Sequence, residues 1–225
     1  MRGIQRTSTI DFPGQLACVL FTRGCDMNCF YCHNRELIGT GGHLPEEEVE
    51  DFLQRRRGLL DGVVLSGGEP TLQPDLPQFL LHLRELGYRV KLDTNGLRPE
   101  VVEFLLRRKL LDYAAVDWKA PREKYEEVCG APDGFDRARR TLLLLAESGI
   151  PFEGRTTLYP GLTFEELCEM AAALPPLPCY RLNLFRQPEQ FLEKDRQRLD
   201  GQALTRSQIE ARWDELARIQ PHLTV

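Results

Sequence analysis

The chain has 225 residues, 42% of them hydrophobic and 28% charged, which allows a sizeable core in one large domain or two small ones. A net charge of −5 argues against a nucleic-acid binder, which would carry a basic excess. No stretch approaches the roughly 20 apolar residues of a membrane span, and Met1 to Thr7 lead into no apolar signal region, so no membrane partner and a cytoplasmic location are expected.

Short apolar runs then alternate with amphipathic segments. Leu16 to Phe21 reads as a strand, and Pro45 to Arg57 as a helix with Val49, Phe52 and Leu53 on one face. Val63 to Ser66 is the next strand. A helix from Asp75 to Leu86 carries Leu76, Leu80 and Leu83. Arg89 to Asp93 is strand-like, Glu100 to Arg108 helical, and Tyr113 to Asp117 a further strand. The basic runs Arg55-Arg56-Arg57 and Arg107-Arg108-Lys109 close their helices, where cations suit the dipole.

Phe135 to Glu147 reads as a helix with Phe135, Ala138, Leu142 and Leu145 on one stripe, followed by a strand from Phe152 to Leu158. Thr163 and Glu166 form a capping box at the start of the next helix. Arg181 to Phe185 is the sixth strand. Thr205 and Gln208 open a last helix expected to bury Ile209, Trp213 and Leu216. Six strands separated by helices give βα units and a parallel sheet. With no linker or repeat in view, residues 1–225 are expected to form a single domain. Six units are too few for an eight-fold barrel. An open or partial barrel and a doubly wound sheet both satisfy the pattern, and both put function at the carboxyl ends of the strands.

The chemistry starts in the loop after the first strand, where Cys25, Cys29 and Cys32 stand at C-x3-C-x2-C spacing. Three thiolates are one fewer than a closed zinc or iron–sulfur site takes, so a metal held here would keep an open position. The other four cysteines, Cys18, Cys129, Cys168 and Cys179, read as small buried hydrophobes. Polar groups gather at successive strand ends: Gly67-Gly68-Glu69-Pro70, Asp93-Thr94-Asn95-Gly96, Asp117 with Lys119, Arg155, and Asn183 with Arg186. Each alone reads equally well as a turn or a solvated pair. Together, beside the cysteine loop, they read as one pocket. Glycines would let a ligand approach the backbone. Asp93 and Asp117 suit a cation, and Lys119 and Arg155 suit a carboxylate.

With those residues in place, the chain resembles the radical S-adenosylmethionine superfamily, and within it the activating enzymes of glycyl-radical enzymes. Asp11-Phe12-Pro13-Gly14, Tyr31-Cys32-His33-Asn34, Ser66-Gly67-Gly68-Glu69-Pro70, Asp93-Thr94-Asn95-Gly96 and Asp117-x-Lys119 carry the resemblance over nearly the whole chain. It implies an α/β fold, a partial (βα)6 barrel of the radical S-adenosylmethionine type. It also implies one 4Fe-4S cluster on Cys25, Cys29 and Cys32, whose fourth iron binds S-adenosylmethionine. Reductive cleavage would yield a 5′-deoxyadenosyl radical that removes hydrogen from a glycine of a partner enzyme. Electrons would come from a flavodoxin- or ferredoxin-type donor.

By the same motif match, the backbone of Gly67, Gly68 and Glu69 would hold the methionyl amine, and Tyr31 and His33 would meet the adenine. Asp93, Thr94 and Asp117 match a monovalent-cation site. Lys119 and Arg155 would complete the methionyl end. No cysteine lies between Cys32 and Cys129, which implies a single cluster. Arg186 and the Asp-Phe-Pro-Gly opening resemble the activating proteins of anaerobic ribonucleotide reductase more than that of pyruvate formate-lyase. Two competitors stand beside this reading. One is a radical enzyme acting on a small molecule, similar to 7-carboxy-7-deazaguanine synthases. The other is a zinc-binding module without catalysis, needing a fourth ligand such as His33 or Cys18.

Overall fold

Apolar runs too short for helices become the strands of a sheet, and the amphipathic segments between them become its helices. The computed structural model describes residues 1–39, 42 and 44–225. Its first elements are β1 (Gly3–Ser8), β2 (Ala17–Thr22), α1 (Arg35–Ile38), α2 (Glu46–Arg56), β3 (Gly62–Gly67), α3 (Leu76–Glu85), β4 (Arg89–Thr94), α4 (Pro99–Arg107) and β5 (Tyr113–Asp117). There follow α5 (Tyr125–Cys129), α6 (Gly134–Ser148), β6 (Phe152–Leu158), α7 (Phe164–Ala172), β7 (Tyr180–Leu184), α8 (Arg196–Leu199), α9 (Arg206–Ala211), α10 (Trp213–Ala217) and β8 (Leu223–Thr224). The strands are ordered β1 to β8 in one sheet. β1 runs antiparallel to β2, while β2 with β3, β3 with β4, β6 with β7 and β7 with β8 are parallel. This is the α/β class expected, with the βα repeat from β2 to β7 that a partial (βα)6 barrel requires. No helix among the described residues is long and apolar enough to cross a membrane.

The chain divides into two compact units. The first comprises Met1–Asp26, Glu36–Thr94 and Glu100–Ala115. Its central strands β2, β3 and β4 are buried runs, as strands covered on both faces must be. Val49, Phe52 and Leu53 of α2 and Leu76, Leu80 and Leu83 of α3 are the buried helix positions. The second comprises Met27–Arg35, Asn95–Pro99 and Val116–Val225. Here α6 buries Phe135, Ala138, Leu142 and Leu145. Trp118 packs on Phe135 at 4.5 Å between ring centres, and its Nε1 donates to the Met170 carbonyl at 2.9 Å.

Several expectations need correction. Two strands flank the six foreseen. β1 is a largely exposed edge strand whose Gln5, Arg6 and Thr7 hide its period, and β8 has two residues, too few to show one. The last helix is two. Its capping box forms as expected, with Gln208 N–H donating to Thr205 Oγ1 and Thr205 N–H to Gln208 Oε1. The helix then breaks at Arg212, whose guanidinium lies 3.9 Å from the Phe164 ring centre and pairs with Glu165 and Glu215. Trp213 is consequently only half-buried. Cys18 and Cys129 are buried as expected, whereas Cys168 and Cys179 are half-buried.

Candidate functional site

In the first unit, the root of the cysteine loop is fastened to the end of β3. Gly68 N–H donates to the Thr22 carbonyl at 3.1 Å, and Glu69 N–H to the Gly24 carbonyl at 2.7 Å. Gly67 has φ +110°, and a Cβ there would come within 2.6 Å of Thr22 N. A Cβ on Gly68 would lie 1.9 Å from the Gly24 oxygen. The glycine pair is therefore required by the close approach of the chain entering the loop, a packing reason that the motif alone does not disclose. Since these N–H groups are committed to the loop, an ammonium brought to this segment would meet carbonyl oxygens, the partners a donor needs.

Glu69 is fully buried. Its Oε1 accepts from Thr71 N–H at 3.0 Å, Thr71 Oγ1 at 2.6 Å and Thr94 Oγ1 at 2.7 Å. The carboxylate thus ties the exit of β3 to that of β4, and the Thr94 hydroxyl is aimed at Glu69. Asp93 sits beside a residue the sequence reading passed over. Lys91 is 2% exposed, and its Nζ lies 2.9 Å from Asp93 Oδ1 and 2.6 Å from the Asp11 carbonyl. Ser66 Oγ donates to Asp93 Oδ2 at 3.3 Å. Lys91 could have been found from sequence. It is a cation between the apolar Val90 and Leu92, two residues before Asp93 and so on the same face.

Cys25 belongs to the first unit and is half-buried; Cys29 and Cys32 belong to the second. There, Arg35 clamps the loop, donating to Asn28 Oδ1 and the Cys29 carbonyl at 2.8 Å each. Asn28 and Phe30 donate from their backbones to the carbonyls of Cys129 and Val128 at 2.8 and 3.2 Å. This pairing brings Cys129 against Cys29. A hydrogen bond from the Cys129 thiol, outweighing burial, draws Cys29 down to about 7, and Lys119 adds to the effect. Burial first, and then that hydrogen bond, push Cys129 well up. Burial likewise raises Cys32. No ligand spacing could have revealed Cys129. Among the described residues, no three His, Cys, Asp or Glu side chains converge on a single metal ion. The donor set itself, three thiols on one short loop with Cys29 biased toward thiolate, suits the soft irons of a cluster.

Asp117, Lys119 and Arg155 meet where β5 ends beside the middle of β6. Lys119 Nζ lies 2.9 Å from Asp117 Oδ2, and Arg155 Nε 3.0 Å from Oδ1. Burial works against ionisation of Asp117, yet the two cations outweigh it and hold the carboxyl at about 2. Lys119 is held well above its ordinary range, its burial outweighed by Asp117. The trio of two cations and one anion carries one surplus positive charge, suited to an incoming carboxylate.

Tyr31 is buried and stacked on Tyr159, with centroids 5.1 Å apart and planes 7° from parallel; Phe30 stands edge-on to both. Tyr159 was not anticipated. Its hydroxyl is buried with no hydrogen-bond partner among the described residues. His33 is exposed, so the pair assigned to adenine separates into a buried ring and a solvent-facing one. Arg186 is exposed beyond β7.

The sequence model of the Radical SAM superfamily matches residues 19–174. A protein of Methanocaldococcus jannaschii named "Putative glycyl-radical enzyme activating enzyme MJ1227" is 35% identical over 202 residues, covering 85% of this chain and 82% of that protein. The "AdoMet-dependent heme synthase" of Methanosarcina barkeri is 30% identical over 141 residues, 61% of this chain and 40% of that protein. Among solved structures, Streptococcus suis SuiB bound to S-adenosylmethionine matches with a TM-score of 0.71 at 17% identity, over 92% of this chain and 48% of SuiB. The latter match concerns the fold alone. The chain spans less than half the length of the heme synthase and of SuiB.

Proposed function

Because this chain belongs to the radical S-adenosylmethionine superfamily, we propose that it is a glycyl-radical-enzyme activase, with an anaerobic ribonucleotide reductase as its protein substrate. The observation that carries this reading is the 35% identical relative named for such an activity, matched over 82% of its length. The heme synthase is matched over only 40% of its own. Family membership leaves the zinc module without support. We read residues 1–225 as one radical S-adenosylmethionine domain, cytoplasmic and served by a flavodoxin- or ferredoxin-type donor.

In this reading Cys25, Cys29 and Cys32 hold one 4Fe-4S cluster. When bound, the reduced cluster would supply one electron and S-adenosylmethionine the sulfonium that accepts it, for cleavage to methionine and a 5′-deoxyadenosyl radical able to take hydrogen from a glycine Cα. The chain's own residues position that cofactor. Carbonyls of the Gly67–Glu69 segment accept from the methionyl ammonium, while Glu69 holds the segment in place through Thr71 and Thr94. Lys119 and Arg155, kept in place by Asp117, take the methionyl carboxylate. Tyr31, braced by Tyr159, offers an apolar face to the adenine and keeps water away.

Anaerobic reconstitution with iron and sulfide, followed by incubation with S-adenosylmethionine, a reductant and the candidate reductase, tests the proposal. A stable glycyl radical should appear on the partner by EPR, with one 5′-deoxyadenosine formed per radical. Alanine at Cys25, Cys29 or Cys32 should abolish cofactor cleavage, and alanine at Cys168 should leave it largely intact. Cleavage without radical on any glycyl-radical enzyme would defeat the activase assignment.

A further inference from the structure

The resemblance assigns a monovalent cation to Asp93, Thr94 and Asp117, and the structure gives those residues different company. On β4, Asp93 already faces an internal cation, Lys91 Nζ at 2.9 Å from its Oδ1, an ion-pair contact whose geometry is not that of a hydrogen bond. That ammonium is not a surface charge that could swing aside. Lys91 is 2% exposed, its Nζ is also 2.6 Å from the Asp11 carbonyl, and it lies 5.6 Å from the centre of the Tyr113 ring. Lys91 and Asp93 are two apart on one strand, so their side chains share a face, and the backbone itself fixes the pairing. An alkylammonium is bound by the same carboxylate and carbonyl oxygens that would coordinate potassium, and it carries the same charge.

Asp117, in its own unit, is equally provided for. Each of its oxygens meets a side-chain cation, Lys119 at one and Arg155 at the other. Thr94 donates its hydroxyl proton to Glu69. Neither carboxylate of the motif offers the uncompensated negative charge that draws a metal cation, and a second cation beside either would meet like charge. The donor set therefore does not fit the implied ion.

We propose that Lys91 supplies, from within the chain, the positive charge that the resemblance assigns to a monovalent cation at Asp93, so that S-adenosylmethionine binds here without sodium or potassium. The inference rests on the cofactor reading above. Lys91 is a positioning residue, holding Asp93 and with it the end of β4.

The test uses reconstituted protein exchanged into choline chloride, then titrated with sodium or potassium chloride at constant ionic strength. Three quantities are read: S-adenosylmethionine Kd, thermal midpoint and retention of radiolabelled rubidium. For the unaltered protein, Kd should agree within about twofold in all three salts, the midpoint should not move saturably, and no stoichiometric rubidium should be retained. One rubidium per chain, or a saturable gain in affinity with potassium, would overturn the proposal. Lys91→Gln should acquire what the native protein lacks, with affinity and midpoint rising in potassium by about fivefold and by several degrees. Refolding of that variant equally well in choline and potassium, with no cation response, would also overturn it. The native measurement decides even if the variant does not fold. Failure of S-adenosylmethionine to bind in any salt would count against the cofactor reading instead, because midpoint and rubidium retention are read without it.

Discussion

Asp93 and Asp117 occupy the same kind of position, a strand exit beside a lysine two residues away, yet their surroundings differ. Asp93 pairs with a lysine sealed in the first unit. Asp117 lies between two cations in the second, with its side chain 31% exposed. The first arrangement matches one carboxylate with one buried ammonium and holds a strand end in place. The second sets two cations on one carboxylate that is partly open to solvent. Similar motifs of carboxylate and lysine thus divide into a structural brace and a proposed anion-binding group, distinguished by burial and by the number of cations on the carboxylate.

The largest effect should come from opening the closed pair. Lys91→Gln in choline chloride leaves Asp93 without its buried cation, which should cost about 3–5 kcal/mol of stability. Chemical denaturation would detect it. A loss below about 1 kcal/mol would mean that Asp93 is compensated elsewhere and that the comparison is misdrawn. At the other strand exit the effect should fall on binding. Lys119→Met removes the charge-assisted contact proposed for the cofactor carboxylate and should weaken S-adenosylmethionine about 10–100-fold, measured by equilibrium dialysis. In potassium chloride, Lys91→Gln should stay within about fivefold of the native affinity. Equal losses in the two variants would erase the distinction between brace and binding group.

The pH dependence follows from the same contrast. The folded-state pKa of Asp117 is depressed to about 2, from an ordinary value of about 4. A depressed carboxyl stabilises the fold above its unfolded pKa, and that contribution is lost as pH falls through the folded one. Native protein should therefore lose roughly 2 kcal/mol between about pH 4 and pH 2 that Asp117→Asn never had. Acid titrations of unfolding free energy, run in parallel, would expose the difference as a shallower acid limb in the variant. Parallel limbs would place the acid sensitivity elsewhere.

How much of this was legible depended on whether a residue's role is local. β2, β3 and β5 were readable as largely apolar runs, and β7 by the alternation of Tyr180, Leu182 and Leu184 with polar residues. The capping boxes at Thr163 and Thr205 were readable because both halves lie three residues apart. β1 and β8 were not, since an exposed edge strand has no apolar period and a two-residue strand has none to show. The cysteine loop, Gly67-Gly68-Glu69 and Asp117-x-Lys119 declared themselves as motifs. Their partners did not. Cys129 reaches Cys29 from a hundred residues away, and Tyr159 reaches Tyr31 across more than a hundred, with no spacing to signal either. The reason for the glycines was equally hidden, because the clashing atoms belong to Thr22 and Gly24.

Cys129 offers the finest test of the two-unit comparison, against Cys18. Both thiols are buried, and burial drives both upward, Cys18 to about 12. Cys18 lies within β2 among apolar neighbours and acts as a small hydrophobe, whereas Cys129 is hydrogen-bonded to a proposed cluster ligand. Alanine at either position should cost about 1 kcal/mol for the lost buried volume. Iron content after reconstitution should remain at the native level in both variants, because three thiols at C-x3-C-x2-C spacing already make up the protein's share of the ligands. The two should agree in exchange as well. Without its neighbour's thiol, Cys29 keeps its place through Arg35 and the backbone bonds at Asn28 and Phe30, so the loop should stay protected from amide exchange in the Cys129 variant. Iron lost from Cys129→Ala but not from Cys18→Ala would make Cys129 a ligand, and the open coordination position read from three cysteines would then be filled by the chain itself.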